Sequence, residues 1–470
     1  MQEETNNVIT IVLTADNHLG YTVPGQPPRK REEQRQRQRR AFGQATDFAI
    51  GQGVDLFLQA GDLFDTPRPD EQDRSFVAAR LAGLKQAGMR VFALGGVHDT
   101  PAEAHSMLGD AVMPAPQLSY ASLGALHYFP PNDSPAASRR VLQPVIFDVR
   151  GIQVGICGLG VAVGQQGDPL AHSDTDPELE RAAIPLLLLH APIEGVTDGT
   201  SALDIQAQVA RSTIVSQSAF RFILAGYHHA YARLSFGRTE VIVAGATQHI
   251  HFNDPDGEPG FVFLGLAADG VRWCRHITVD GVQLRRLVIP VADLWPAASA
   301  PTTSDPATSE AIAPDSSVSE DTDRVRAGLA PALENSPAAP DDTETDPTAR
   351  ILERLRLLCA EDAMVQVRLE GELTRQRYHQ LDLNQLRRYG EEHAFALAID
   401  DSAVTFLPDA EAISRAQAIA FSASDIEERL SPRDELIRLA DEWIAGAEDE
   451  QEQQALVATK EELLAALWNL

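Results

Sequence analysis

Over its first 290 residues the chain alternates short apolar runs with breaks rich in glycine and aspartate. The runs lie at 8–14, 54–59, 90–94, 145–149, 152–157, 186–189, 222–225, 240–244 and 261–266. Several are apolar on both faces, as strands are when a sheet is covered on both sides. Helical patterns fill the gaps at 31–52 and 71–88, so strands and helices alternate at first and strands dominate afterwards. That order predicts a layered α/β domain over residues 1–292, with sheets inside and helices outside. Polar side chains collect where strands run out, on loops that a rigid frame can aim.

Beyond residue 292 the pattern changes twice. Residues 293–347 turn to Ala, Pro, Ser, Thr, Asp and Glu with no aromatic residue, apart from Trp295 at the start. Such a stretch buries too little apolar surface to offset its ordering entropy, which predicts an acidic disordered linker. Residues 348–410 then read as a small α+β module, with helices at 351–358 and 381–389 and strands at 365–369 and 395–399. In the last segment, 411–470, Ser431, Pro432 and Asp434 form a helix start, and Leu436, Leu439, Ala440, Trp443 and Ile444 share one face. A second amphipathic stretch, 451–468, carries Leu456, Leu463, Leu464 and Leu467. This pair of helices either packs on its own domain or docks a partner.

Charge sharpens the division. The 470 residues carry 39 basic and 68 acidic side chains, a formal net charge of -29, which excludes a generally basic nucleic-acid coat. Residues 1–290 hold 24 basic and 31 acidic residues, and the other 180 hold 15 and 37, so the acidity is concentrated in the C-terminal part. Three cysteines without a CxxC spacing exclude a disulfide framework and a cysteine zinc knuckle. The acidic start at Glu3 and Glu4 and the lack of an apolar run of membrane-spanning length predict a cytoplasmic protein with no membrane association.

The candidate chemistry lies just after the apolar runs. Asp16 and His18, Asp62 and Asp65, His98 and Asp99, His190, and Tyr227 to His229 each follow one. A single histidine after a strand is usually a hydrogen-bonded structural residue, and Gly-Asp pairs are common turns. Carboxylates and imidazoles at the ends of successive strands are a different matter, because they converge on one sheet edge. Together they offer the oxygen and nitrogen ligands of manganese, iron or zinc.

These residues resemble the motifs of the calcineurin-like metallophosphoesterases, and within them the SbcD-like (YhaO-like) DNA repair exonucleases. Thr14 to Gly20 is similar to the first motif, Ala60 to Asp65 to the second in its exonuclease form, and His98 with Asp99 to the end of the third. Leu189 and His190 are similar to the fourth, and Gly226 to His229 to the fifth. The resemblance implies a four-layered sandwich, two sheets flanked by helices, with a capping module at 348–410 and C-terminal helices that dock a partner. It implies that Asp16, His18 and His229 hold a first divalent metal, manganese above all, that Asp62 bridges, and that His190 belongs to a second. His98 would protonate the leaving oxygen, with Asp99 as its catalytic neighbour and Asp65 fixing the loop. DNA, an SbcC-type coiled-coil ATPase and a second copy of the chain are the implied partners.

Two departures fall on the second metal: Val97 replaces the usual Asn, and Tyr227 the usual His. His228, His249, His251 or a Tyr227 phenolate are the available substitutes. The alternative function is therefore a pseudo-nuclease kept as a DNA-binding or ATPase-docking scaffold. Residues 29–40, with seven basic and two acidic side chains, are either a solvated helix face or a phosphate-contacting patch. Neither a GxxxxGK[ST] loop nor a GxSxG elbow occurs, which argues against intrinsic ATP hydrolysis and a serine nucleophile.

Overall fold

The computed structural model describes residues 7–101, 107–108, 111–112, 114–130, 139–161, 165–196, 206–295, 346–407 and 432–445, with single residues from 453 to 460. Most of the expected linker and most of 411–470 lie outside the described residues. The first sheet is built on three parallel strands, β1 (Ile9–Thr14), β2 (Leu56–Ala60) and β3 (Arg90–Leu94), linked by helices α1 (Pro28–Gln52) and α2 (Glu71–Gln86). His127–Phe129 extends it in parallel beyond β3, and Gly260–Ala267 and Gly270–Thr278 extend it antiparallel beyond β1. The second six-stranded sheet runs Ala232–Phe236, Thr239–Val243, Phe222–Gly226, Ile184–His190, Ile152–Gly160, Val145–Val149.

The two sheets pack face to face. Leu13, Leu58 and Leu94 meet Ile156, Leu188 and Leu224 in one buried cluster. The alternate residues of the first sheet, Val12, Phe57 and Val91, pack under Phe42 of α1 and Val77 and Leu81 of α2. On the far side Leu187, Leu189 and Ile223 are covered by Leu179 and Ile214, from a 3-10 turn at Pro177–Arg181 and a short helix at Arg211–Ser216. Strands apolar on both faces are thus explained, since each is sandwiched. The architecture is a four-layered α/β sandwich whose last layer is thin.

The small module is a three-stranded parallel sheet with helices at Pro347–Leu358 and Leu383–His393 packed on it. Its strands are Gln283–Pro290, Ala363–Thr374 and Ala396–Leu407. The first of these precedes residue 292, so the division drawn there from composition falls after the module has begun. Strand Gln283–Pro290 buries only Ile289 and has Arg285 and Arg286 at its centre, so its hydrophobic signal is weak. The module meets the sandwich where Val23 and Phe252 pack with Val282, Met364 and Phe395.

The expected helix at 432–445 forms, and Leu439 and Trp443 on it are exposed, Trp443 by 67%. Among the described residues no helix is long and apolar enough to cross a membrane. Leu58 is fully buried between the two sheets. Leu58→Ala is expected to lower the unfolding free energy by ~2–5 kcal/mol, read from denaturant titration.

Candidate metal centre

The site lies at the C-terminal ends of the parallel strands, on the edge shared by both sheets. β1 delivers Asp16 and His18, β2 delivers Asp62, the loop after β3 delivers His98, Ile184–His190 ends in His190, and Phe222–Gly226 leads into His229. Single donor atoms of Asp16, His18 and His229 all lie within 4.8 Å of one another, as do those of Asp16, Asp62 and His190 and those of His18, Asp62 and His98.

The backbone is bent to achieve this. Asp16, His18, Asp62 and Tyr227 are four of the five non-glycine residues at positive φ among the described residues, at 46°, 44°, 52° and 81°. Such conformations cost on the order of 1–3 kcal/mol each and persist where surrounding contacts over-determine them. Those contacts are visible. The amides of Asn17 and His18 both donate to the Asp62 carbonyl, at 2.9 and 3.1 Å, and that of Leu19 to the Leu63 carbonyl at 3.0 Å. Asn17 Nδ2 donates to Thr14 Oγ1 at 2.8 Å and Thr247 Oγ1 at 3.2 Å. Glycine is required at 61, where φ is +95° and a Cβ would lie 2.1 Å from His190 Nδ1.

Hydrogen bonds decide which nitrogen each histidine offers. His190 Nδ1 is 2.8 Å from the Ala60 carbonyl, so it carries the proton and Nε2 faces Asp62 Oδ2 at 3.2 Å. His18 Nδ1 meets Asp65 Oδ1 at 3.3 Å, and His229 Nδ1 meets Asp254 Oδ1 at 2.8 Å. The buried Nε2 atom of His18 has no hydrogen-bond partner, and that of His190 meets only Asp62. An orphaned imidazole nitrogen beside two buried carboxylates fits a first-row divalent cation.

The electrostatics agree. Burial pushes the Asp16 carboxyl up to about 7 despite His190 and His229. Burial also opposes ionisation of Asp62, but the surrounding His190, His98 and His18 outweigh it and hold Asp62 well below the usual carboxylate range. Burial alone would depress His190, yet the adjoining Asp62 and Asp16 raise it to about 9. His18 is lowered, chiefly by burial, which leaves a neutral imidazole with a lone pair to offer. The centre is therefore one that draws positive charge.

Residues 9–148, which hold the first three motifs, match the family described as calcineurin-like phosphoesterase. The chain carries a calcineurin-like phosphoesterase domain. The folded unit runs on past that match, because the strand that ends in His190 and the strand that leads into His229 belong to the second sheet. The DNA double-strand break repair protein Mre11 of Halobacterium salinarum is 24% identical over 286 residues, covering 61% of this chain. The chain spans 63% of that relative's length. Among solved structures, a putative 5'-nucleotidase from Staphylococcus aureus aligns with TM-score 0.34 and 16% identity over 58% of this chain and 54% of its own. A dimetal phosphatase from Danio rerio aligns with TM-score 0.33 and 14% identity over 58% and 99%.

Within the sandwich the residues expected to complete a second metal site are turned elsewhere. Val97, 7% exposed, packs with Leu142, Cys157 and Leu159, and Tyr227 packs on the same cluster. His228 Nε2 accepts from the Ile193 amide at 2.9 Å. His249 Nε2 bonds the Gly257 carbonyl at 3.0 Å, and His251 Nδ1 is 3.3 Å from the Tyr21 hydroxyl. None of these three joins a donor group among the described residues.

Asp99, expected beside His98, does something else. It is fully buried, and its oxygens accept from the amides of Leu63 at 2.8 Å and Gly96 at 2.9 Å and from the Gln117 side chain. Adjacent residues on a turn point apart, so the carboxylate beside His98 comes from another loop. Asp65 Oδ1 lies 3.7 Å from His98 Nδ1, and the His98 amide donates to Asp62 Oδ1 at 2.8 Å. The His98 side chain is 27% exposed and open to a substrate.

Four of the seven basic side chains in the run on α1 are engaged within the molecule. Arg35 pairs with Asp70 at 3.0 Å, Arg37 with Glu33 at 2.6 Å and Arg39 with Asp73 at 2.6 Å. Lys30 donates to the Ala394 carbonyl at 2.6 Å, and Arg37 lies over the Phe395 ring. These four side chains hold α2 and the small module rather than forming an open phosphate patch. One residue the sequence reading missed is Asp254, whose only signal was its place after His249 and His251.

A Val97→Asn, Tyr227→His variant is expected to raise bound manganese from about one ion per chain to about two, the number a paired site holds. Elemental analysis after manganese loading and desalting reads the change.

Proposed function

We propose that the chain hydrolyses phosphodiester bonds in DNA with a divalent cation, manganese by preference, as an SbcD- or Mre11-like nuclease subunit. The observation that carries this reading is the convergence of Asp16, His18, Asp62, His190 and His229 around the orphaned imidazole nitrogen of His18. The relative from Halobacterium salinarum, described as a DNA double-strand break repair protein, supports DNA as the substrate.

When bound, the cation supplies Lewis-acid charge to a phosphoryl oxygen and to an attacking water. Asp16, His18 and His229 would hold it, with Asp62 shared toward His190. His98 stands on the exposed side of this group, 4.7 Å from His18 between ring centres, with Asp62 holding its backbone. From there its imidazole delivers a proton to the leaving oxygen, and Asp65 keeps the ring oriented. The exposed Leu439 and Trp443 support docking of a partner of the SbcC type by the helix Pro432–Ala445.

The apolar surroundings of Val97 favour a second reading, a scaffold that binds DNA or an ATPase without cutting. The two readings separate in one experiment: metal content after manganese loading, and DNA cleavage by the same sample. Bound metal with cleavage supports the nuclease, and absence of any cleavage that manganese restores leaves the scaffold. In the nuclease, His98→Ala is expected to lower turnover about 10²–10⁴-fold while metal content stays unchanged.

A further inference from the structure

The loop from His251 to Asp256 joins the first metal site, through a buried carboxylate, to the small module, through polar contacts nearer the surface. Asp254 is 1% exposed. Its Oδ1 meets His229 Nδ1 at 2.8 Å, and its Oδ2 accepts from the amides of Ile250 at 2.7 Å and His251 at 3.0 Å. The backbone of this loop is in turn gripped from the module. Arg286, on Gln283–Pro290, donates to the Phe252 carbonyl at 2.9 Å, to the Asp254 carbonyl and to the Asp256 carboxylate. Gln366 is its register partner on the next strand. The Gln366 side chain accepts from Arg286 Nε at 3.3 Å and donates to Asn253 Oδ1 at 3.3 Å.

We infer that Asp254 and Arg286 are positioning residues through which the seated module sets the tautomer and aim of His229, and so the cation affinity of the first site. The inference rests on the metal-centre reading above. A carboxylate can only accept from Nδ1, which places the proton there and the lone pair on Nε2. Arg286 fixes the carboxylate by holding the loop's carbonyls with a planar fork that lysine lacks. Coupling between module and site therefore needs no contact between the module and the cation.

Asp254→Asn separates positioning from folding. The amide oxygen can still accept from Ile250 and His251, so the loop keeps its shape. The amide NH2 then faces His229 Nδ1 and forces the proton onto Nε2. Manganese binding to the full chain, followed by calorimetry with Mn²⁺ alone as the probe, is expected to weaken about 10–100-fold with thermal unfolding near that of the wild type. In ¹⁵N-histidine-labelled protein without metal, the His229 resonances are expected to report the proton on Nε2 instead of Nδ1. Arg286→Met, which keeps the stem and loses the fork, is expected to weaken manganese binding in the same direction.

Wild-type affinity or an unmoved tautomer in Asp254→Asn would overturn the role of the carboxylate. Wild-type affinity in Arg286→Met would overturn the module's part in it. Failure of the wild-type chain to bind manganese would overturn the metal-centre reading itself, and with it this inference.

Discussion

Two backbone amides, those of Asn17 and His18, converge on the carbonyl oxygen of Asp62, and the candidate centre depends on that junction. It binds the loop after β1 to the loop after β2 while both are in left-handed conformations that side chains resist. Without it Asp16, His18 and Asp62 would have no reason to face one another. The glycines at 61 and 226 serve the same closeness, since a Cβ at 226 would lie 2.3 Å from the Ala60 carbonyl. Strain stored in these turns is held by a frame of two interlocked sheets, whose apolar burial far outweighs it.

Around the junction, charge has been arranged so that a cation is favoured. Asp62 remains ionised although burial opposes it, because three imidazoles surround it. Two acceptors orient these three imidazoles: the Ala60 carbonyl for His190, and Asp65 for His18 and, more distantly, for His98. Asp65 thus serves two rings from one oxygen, joining a ligand position to the proposed proton donor. Asp99 carries none of that work, since it spends its carboxylate on amides that hold the neighbouring loops.

The second half of the centre shows the opposite logic. A valine and a tyrosine extend the apolar cluster of the second sheet up to His190, whose ring lies 5.6 Å from that of Tyr227. Tyr227 nonetheless keeps a φ of 81°, and its amide donates to Asp16 at 3.1 Å. The backbone shape is therefore maintained by a hydrogen bond to a residue of the first site, independently of what the side chain does.

Much of this protein was legible in the order of its residues. Runs apolar on both faces announced strands inside a covered sheet, because a sandwiched strand has no polar side. Asp and His placed just after those runs announced a site at a sheet edge, because parallel strands end together. The partners of those side chains were not legible. Asp65 rather than Asp99 lies beside His98, and Asp254 lies beside His229, because loops far apart in sequence fold over one another. Nor was the engagement of Lys30, Arg35 and Arg39 on α1 with α2 and the small module, or the membership of strand Gln283–Pro290, whose half-exposed residues find a place only once Ala363–Thr374 pairs with it. Sequence determines which residues can bury and which can bind, since those are properties of single side chains. Tertiary structure alone decides which of them meet, since a hydrogen bond of 2.8 Å depends on the positions of both partners.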